Sequence, residues 1–264
     1  MTLTLSDGPL AADPPASVNY TVDGPAHKIL FANFPRRVRA TFADEVVLDT
    51  TRGRLLHESN LLPVLYVPTE DVRQDLLQAT DHSTHCPFKG DASYWSVVVG
   101  DRTADDAVWG YPEPNGDAGW LAGYMAFYWD RMDAWFDEDE QVHGHPRDPY
   151  HRIDTRRSSR RVVVRRGDEV LAESSRPIVV SETGLPNRFY LPVADVRTDL
   201  LTSSTSQSHC PYKGWATYWS LRDGTADVAW SYEEPFTDAA QTAGHLCFSG
   251  DDVVTEVDGQ VVDS

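Results

Sequence analysis

Moved along itself by 124 positions, the chain meets its own sequence again. Tyr66-Val-Pro-Thr-Glu-Asp-Val-Arg-Gln-Asp-Leu-Leu falls on Tyr190-Leu-Pro-Val-Ala-Asp-Val-Arg-Thr-Asp-Leu-Leu, and His85-Cys-Pro-Phe-Lys-Gly on His209-Cys-Pro-Tyr-Lys-Gly. Over residues 66–90, 13 of 25 positions are identical without a gap. The offset already holds at Arg36-Arg37-Val38 over Arg160-Arg161-Val162, and a short indel later shifts Trp109-Gly-Tyr111 onto Trp230-Ser-Tyr232. Self-similarity at this spacing means one supersecondary unit built twice, which excludes any fold needing the whole chain for a single core.

Boundaries follow from the repeat. Residues 1–35 read as a Pro-containing extension, an arm on the first copy; 36–142 are the first repeat domain, 143–159 a linker and 160–264 the second repeat domain. The copies should superpose as a pseudo-dimer within one chain, compatible with a monomer. Within each copy the pattern is mainly β. Arg161-Val-Val-Val-Arg and Asp168-Glu-Val-Leu-Ala-Glu form a hairpin-like pair around Arg166-Gly167. Tyr94-Trp-Ser-Val-Val-Val and Ala107-Val-Trp-Gly-Tyr are β-branched and aromatic. Residues 69–79 and 193–203 each follow a proline, carry acid in the first turn and place Val and Leu-Leu at helical spacing, which predicts one short helix per copy. The expected architecture is two tandem copies of a small bent-sheet or barrel-like β domain.

Charge narrows the partners. With 41 acidic against 23 basic residues the net charge is −18, a field that repels nucleic acid phosphates and anionic membranes, so neither is expected to bind. Aspartate outnumbers glutamate 29 to 12 and arginine outnumbers lysine 20 to 3, a balance that suits a salt-rich cytoplasm or a GC-rich genome. No stretch approaches a membrane span, and the first residues lack the basic start and apolar core of a secretory signal, so a cytoplasmic protein is expected. Three cysteines, Cys86, Cys210 and Cys247, do not make a disulfide framework.

The rarity of lysine sharpens one motif. Cys86-Pro-Phe-Lys89-Gly and Cys210-Pro-Tyr-Lys213-Gly hold two of the three lysines and two of the three cysteines. Proline at the second position and glycine at the end predict a tight turn that brings Cys and Lys close, where an ammonium favours thiolate. His85 and His209 stand immediately before. A lysine kept twice in an arginine-preferring chain points to a task arginine does not perform. The competing reading is a small buried cysteine and a lysine capping strand-end carbonyls.

A second group pairs Arg52 with Glu58 and Arg176 with Glu182, six residues apart on extended chain and so able to share a face. The second copy adds Arg188 before Tyr190, where the first has Val64 before Tyr66. Trp109 with Tyr111, like Trp230 with Tyr232, alternate onto one strand face, while Tyr94 and Trp95, like Tyr218 and Trp219, face opposite ways. Such a wall suits a flat or sugar-like ligand, although core packing is the commoner reason for one. The linker's His143, His145 and His151 read as solvated rather than metal-binding, and neither Cys motif has zinc spacing. Phosphate-loop, dinucleotide, serine-hydrolase and kinase signatures are absent, so neither cofactor nor metal is expected.

These motifs resemble those of the family called domain of unknown function 427. In its tandem members a His-Pro-x-Asp-Pro-Tyr segment precedes Glu-Thr-Gly-Leu-Pro-x-Arg-x-Tyr, then Cys-Pro-Tyr-Lys-Gly and Trp-x-Tyr-x-x-Pro; here these stand at 145–150, 182–190, 210–214 and 230–235. The first copy departs at the Gly-Leu-Pro-x-Arg stretch. The family has also been labelled nucleotidyltransferase-like, but the Gly-Ser followed by paired aspartates that this implies is missing from the chain. The resemblance implies a fold and motif positions and leaves the reaction open.

Two functions remain in view. One is a small-molecule enzyme with Cys210, Lys213 and Glu182, and their twins Cys86, Lys89 and Glu58, as catalytic residues. Its ligand would be held by Arg188, Tyr190, Arg176, Trp230 and Tyr232, or by Arg52, Tyr66, Trp109 and Tyr111. The other is a non-catalytic ligand-binding or scaffold module in which the repeated motif builds the fold.

Overall fold

The computed structural model describes residues 3–6, 8–12, 18–20 and 23–262. It forms two compact units whose main bodies are Pro9–Pro146 and Arg147–Ser264. The first holds β1 (Ile29–Asn33), β2 (Val38–Phe42), β3 (Glu45–Thr50), β4 (Arg54–Glu58), β5 (Val64–Pro68), β6 (Leu77–Cys86), β7 (Gly90–Val99), β8 (Arg102–Gly110), β9 (Tyr124–Phe127), β10 (Ala134–Asp137) and β11 (Glu140–Val142). The second holds β12 (Ile153–Arg157), β13 (Val162–Arg166), β14 (Glu169–Ser174), β15 (Ile178–Glu182), β16 (Arg188–Pro192), β17 (Leu201–Cys210), β18 (Gly214–Leu221), β19 (Ala229–Tyr232), β20 (His245–Phe248), β21 (Val253–Val257) and β22 (Gln260–Val262).

Each unit has a seven-stranded and a four-stranded antiparallel sheet. The large sheets run β1-β4-β5-β9-β8-β7-β6 and β12-β15-β16-β20-β19-β18-β17; the small ones run β3-β2-β10-β11 and β14-β13-β21-β22. Strand for strand the two orders correspond, so the expected tandem of bent-sheet β domains is what the chain folds into. The hairpin around Gly167 forms with a bulge between Val164 and Arg165.

Alternation along the large sheet divides the core. In the first unit Leu55, Leu65 and Val67 join Val38, Phe42 and Leu48 of the small sheet in one buried cluster, while Leu56, Tyr66 and Tyr94 point to the other face and form a second. Trp95 packs on the first cluster, opposite Tyr94, as strand periodicity requires. The second unit repeats this, with Phe189 and Leu191 facing the small sheet and Tyr190, Tyr232 and Cys247 on the far side.

The large sheet curls. Between β4 and β7 lie three strands, and four interstrand steps would span roughly 19 Å if the sheet were flat. Yet Lys89, in the turn joining β6 to β7, binds Glu58 at the end of β4 directly. Curling brings the far-face residues inward, and the candidate site lies there.

Two sequence expectations change. The helices expected at 69–79 and 193–203 are pairs of 3₁₀ turns, Thr69–Asp71 with Gln74–Leu76 and Val193–Asp195 with Thr198–Leu200, each running straight into a ten-residue strand. Between the turns Arg73 N donates to Val47 O and Arg197 N to Leu171 O, both at 2.8 Å. The small-sheet backbone thus takes bonds that a short helix, marginal by itself, would have kept inside. Secondly, strand pairing starts earlier than sequence identity does. Residues 29–33, read as part of the extension, pair with β4, and residues 153–157, read as linker, pair with β15. Ahead of β1, Ser59 Oγ donates to Leu10 O and Asn60 N to Thr4 O. Among the described residues, no helix is long and apolar enough to cross a membrane.

Candidate functional site

The Cys-Pro-x-Lys-Gly segments are the turns expected of them. Lys213 N donates to Cys210 O at 3.2 Å, and Gly90 and Gly214 take φ of 101° and 103°, which side chains avoid. A Cβ on Gly214 would stand 3.2 Å from Glu234 O. The turn's product is an aimed lysine. Lys213 Nζ donates to Glu182 Oε2 at 2.5 Å, and Lys89 Nζ to Glu58 Oε2. The ion-pair partner of each ammonium is therefore a carboxylate at the end of β4 or β15, reached across the curl.

The other carboxylate oxygen takes a histidine. His151 Nε2 lies 2.9 Å from Glu182 Oε1, and His27 Nε2 lies 3.1 Å from Glu58 Oε1. Each ring also packs on the aromatic of the turn, His151 on Tyr212 at 4.2 Å and His27 on Phe88 at 4.0 Å between centroids. Burial works against an ionised Glu182, but the His151 hydrogen bond and the Lys213 charge outweigh it and hold the carboxyl down at about 2. The result is a His–Glu–Lys array in each unit, 31 residues separating Glu from each partner. Sequence reading missed His27 and placed His151 in a solvated linker, whereas the His151 side chain is buried against Glu182; the two stand 124 apart but lie upstream of the first continuous identities.

The proposed Arg–Glu pairs do not form. Arg52 binds Asp71 and Glu70, and Arg176 binds Asp195. Arg52 and Arg176 are thus surface clamps on the 3₁₀ turns, because they stand in the connections from β3 to β4 and from β14 to β15, outside the strands that carry Glu58 and Glu182. The aromatics are brought together: Trp230 Nε1 donates to the Tyr190 hydroxyl at 3.0 Å and Trp109 Nε1 to that of Tyr66 at 3.2 Å. Burial raises the pKa of the far-face phenols Tyr66, Tyr111, Tyr190 and Tyr232, so they are neutral hydrogen-bonding groups.

Beside this array the second unit has a cavity of about 480 Å³. Its wall includes Glu182, Lys213, Arg188, Tyr190, Trp230, Tyr232, Tyr218 and Asp227, with Leu185 and Pro186 at one side and Ser249-Gly250 at another. The half-buried Cys210 packs on the far-face cluster and is not part of that wall. Arg188 lies over the Trp230 ring at 5.7 Å, and its Nη1 is buried without a hydrogen-bond partner. In the first unit Val64 stands at the Arg188 position. Where the second has Ser249, following β20 and bonded to Val228 O, the first has Tyr128, following β9 and bonded to Ala107 O. The Tyr128 ring lies 4.6 Å from that of Trp109. Among the described residues, no group of three or more His, Cys, Asp or Glu is arranged to hold a metal ion.

Comparison with known proteins agrees with this duplication. Among proteins of curated function, none matches the chain. The family described as domain of unknown function (DUF427) matches twice, over residues 31–138 and 154–262, and each match opens within the first strand of its unit. The matches take in ten of the first unit's eleven strands, β11 lying beyond the first match, and all eleven of the second, and the chain is a tandem member of the DUF427 family.

Proposed function

We propose that the second unit binds a small anionic molecule in its cavity and that the first is a closed form of the same site. The observation that carries this reading is the Arg188 guanidinium, buried at Nη1 without a partner, in the wall of a cavity of about 480 Å³. A buried donor left unpaired costs about 1–3 kcal/mol, which an anion accepting from it would offset. Lys213 shares the wall, but its charge is met by Glu182, so it adds donors rather than net charge. If the site is catalytic, its proton-handling groups are Lys213 and Glu182, which border the cavity, in preference to the Cys210 thiol.

The differences between the units support the asymmetry. Tyr128 covers the face of Trp109, whereas the serine at the matching place leaves Trp230 open to the cavity. The test uses benzoate and inorganic phosphate as anionic probes, with binding read by calorimetry on the full chain. Arg188→Val, the residue the first unit tolerates, should weaken binding about ten- to a hundredfold, the size of one charged hydrogen bond. Ser249→Tyr should abolish it by filling the cavity, while Lys89→Met should leave it unchanged. Binding that survives Arg188→Val and disappears with Lys89→Met would overturn the assignment.

A further inference from the structure

Asp227 stands in the cavity wall with no role in the array described above. It has φ of 53°, in the left-handed region that residues other than glycine rarely enter. Its twin Asp106 has φ of 48°. Both units therefore keep the same residue in the same strained backbone, and both brace it alike. Asp227 N donates to Ser220 Oγ at 3.0 Å and Asp106 N to Ser96 Oγ at 3.1 Å. A hydroxyl donates to each carboxylate, Ser206 to Asp227 at 2.7 Å and Thr80 to Asp106 at 2.6 Å. Strain of this kind persists when the surroundings over-determine it, and it gathers at ligand-binding sites.

In the second unit this aspartate shares a cavity wall with Arg188, whereas the first unit has Val64 at the arginine's position. Hydrogen bonds from Ser204 and Ser206 keep the Asp227 carboxyl below its ordinary range, so it is an anion at neutral pH, and it retains lone pairs beyond those its serines use. Lys213 and Glu182 neutralise each other. Among the described residues neither Arg188 nor Asp227 has an ion-pair partner. The uncompensated charges of the cavity are then one cation and one anion, with Tyr218 in the same wall an aromatic ring of the kind that attracts an ammonium.

We infer that the ligand is a zwitterion, a small amino carboxylate whose carboxylate sits on Arg188 and whose ammonium sits on Asp227. This rests on the anion site proposed above and names its substrate class. A neutral overall ligand also reconciles an anion-binding arginine with a chain of net charge −18, whose field opposes the approach of a simple anion and is indifferent to a zwitterion.

The experiment compares the common α-amino acids with their deamino carboxylates and their amides, for example phenylalanine, 3-phenylpropanoate and phenylalaninamide, by ligand-observed NMR and calorimetry on the full chain. At least one amino acid should bind about tenfold or more tightly than both of its counterparts, the margin of one charged hydrogen bond at either pole. Asp227→Asn, which keeps a side chain suited to the left-handed backbone, should erase the margin over the deamino carboxylate. Asp106→Asn, the same change in the closed unit, should leave the margin intact. Deamino carboxylates binding as tightly as amino acids, or a margin that survives Asp227→Asn, would overturn the zwitterion and leave the anion site standing. So would binding of benzoate or phosphate with no amino acid bound at all. Failure of every anion and every amino acid would overturn both readings.

Discussion

On the second unit's far side, Glu182 meets both His151 and Lys213 while almost buried. Its pKa in the folded protein is about 2 against an ordinary 4.5. The folded value is the lower one, so the stabilisation is complete above the unfolded pKa and is lost as pH falls from about 5 towards 2. The size is roughly 3 kcal/mol, from 1.36 kcal/mol per pKa unit. Glu182→Gln should remove that acid dependence and lower stability at neutral pH by about 3–5 kcal/mol, since Lys213 is left charged and uncompensated. Chemical denaturation of both proteins between pH 7 and pH 3 measures this; parallel acid limbs would show that the array contributes nothing. The residues of this array were half legible. Lysine stood out by rarity and glutamate by repetition, but the histidines needed the knowledge that each unit's first strand lies upstream of the visible identities.

At the scale of elements, the Cys-Pro-x-Lys-Gly turn couples backbone geometry to the ion pair. Gly214 holds φ of 103° with Glu234 O only 3.2 Å from where a Cβ would stand. Gly214→Ala must therefore shift the turn, and with it Lys213, away from Glu182. The expected cost exceeds about 1 kcal/mol, the scale for alanine forced to positive φ. Gly167→Ala is the control: its φ is also positive, but nothing lies within 4 Å of its added Cβ. Thermal melts of the two variants should separate, Gly214→Ala melting lower; equal melts would mean that the turn does not set the lysine's position. The 3₁₀ turns after Pro68 and Pro192 make a complementary point. Their hydrophobic spacing suits a helix, and local pattern alone carries no information that β3 and β14 supply backbone acceptors to the same residues.

Across the whole molecule, charge is in excess and almost all of it is on the surface. Exposed pairs such as Arg37–Asp49, Arg73–Asp75 and Arg197–Asp199 are each worth little, and salt weakens them. Against them stands the mutual repulsion of a chain of net charge −18, which salt also screens. The Debye length is about 30 Å in 10 mM salt and about 3 Å in 1 M, so at low salt the repulsion acts over the full width of a unit while each pair acts only at contact. Stability should therefore rise with potassium chloride, read as a melting temperature several degrees higher in molar salt than in 10 mM. A melting temperature that falls with salt would mean that the pairs dominate instead.

Duplication, mainly-β character and the sides to which Tyr94 and Trp95 point were all determined by the sequence, since repeats and a two-residue period are properties of the chain itself. The identity of each charged partner was decided only by tertiary structure. Arg52 and Glu58 share a strand-like stretch, yet Arg52 goes to Asp71 and Glu58 to Lys89 and His27. The reason is the curl of the large sheet, which carries the turn after β6 across three intervening strands to the end of β4. Curvature accumulates from small twists along every strand and appears in no short segment. For the same reason the sequence could show that Ser249 and Tyr128 differ, and only the folded chain shows what the difference opens.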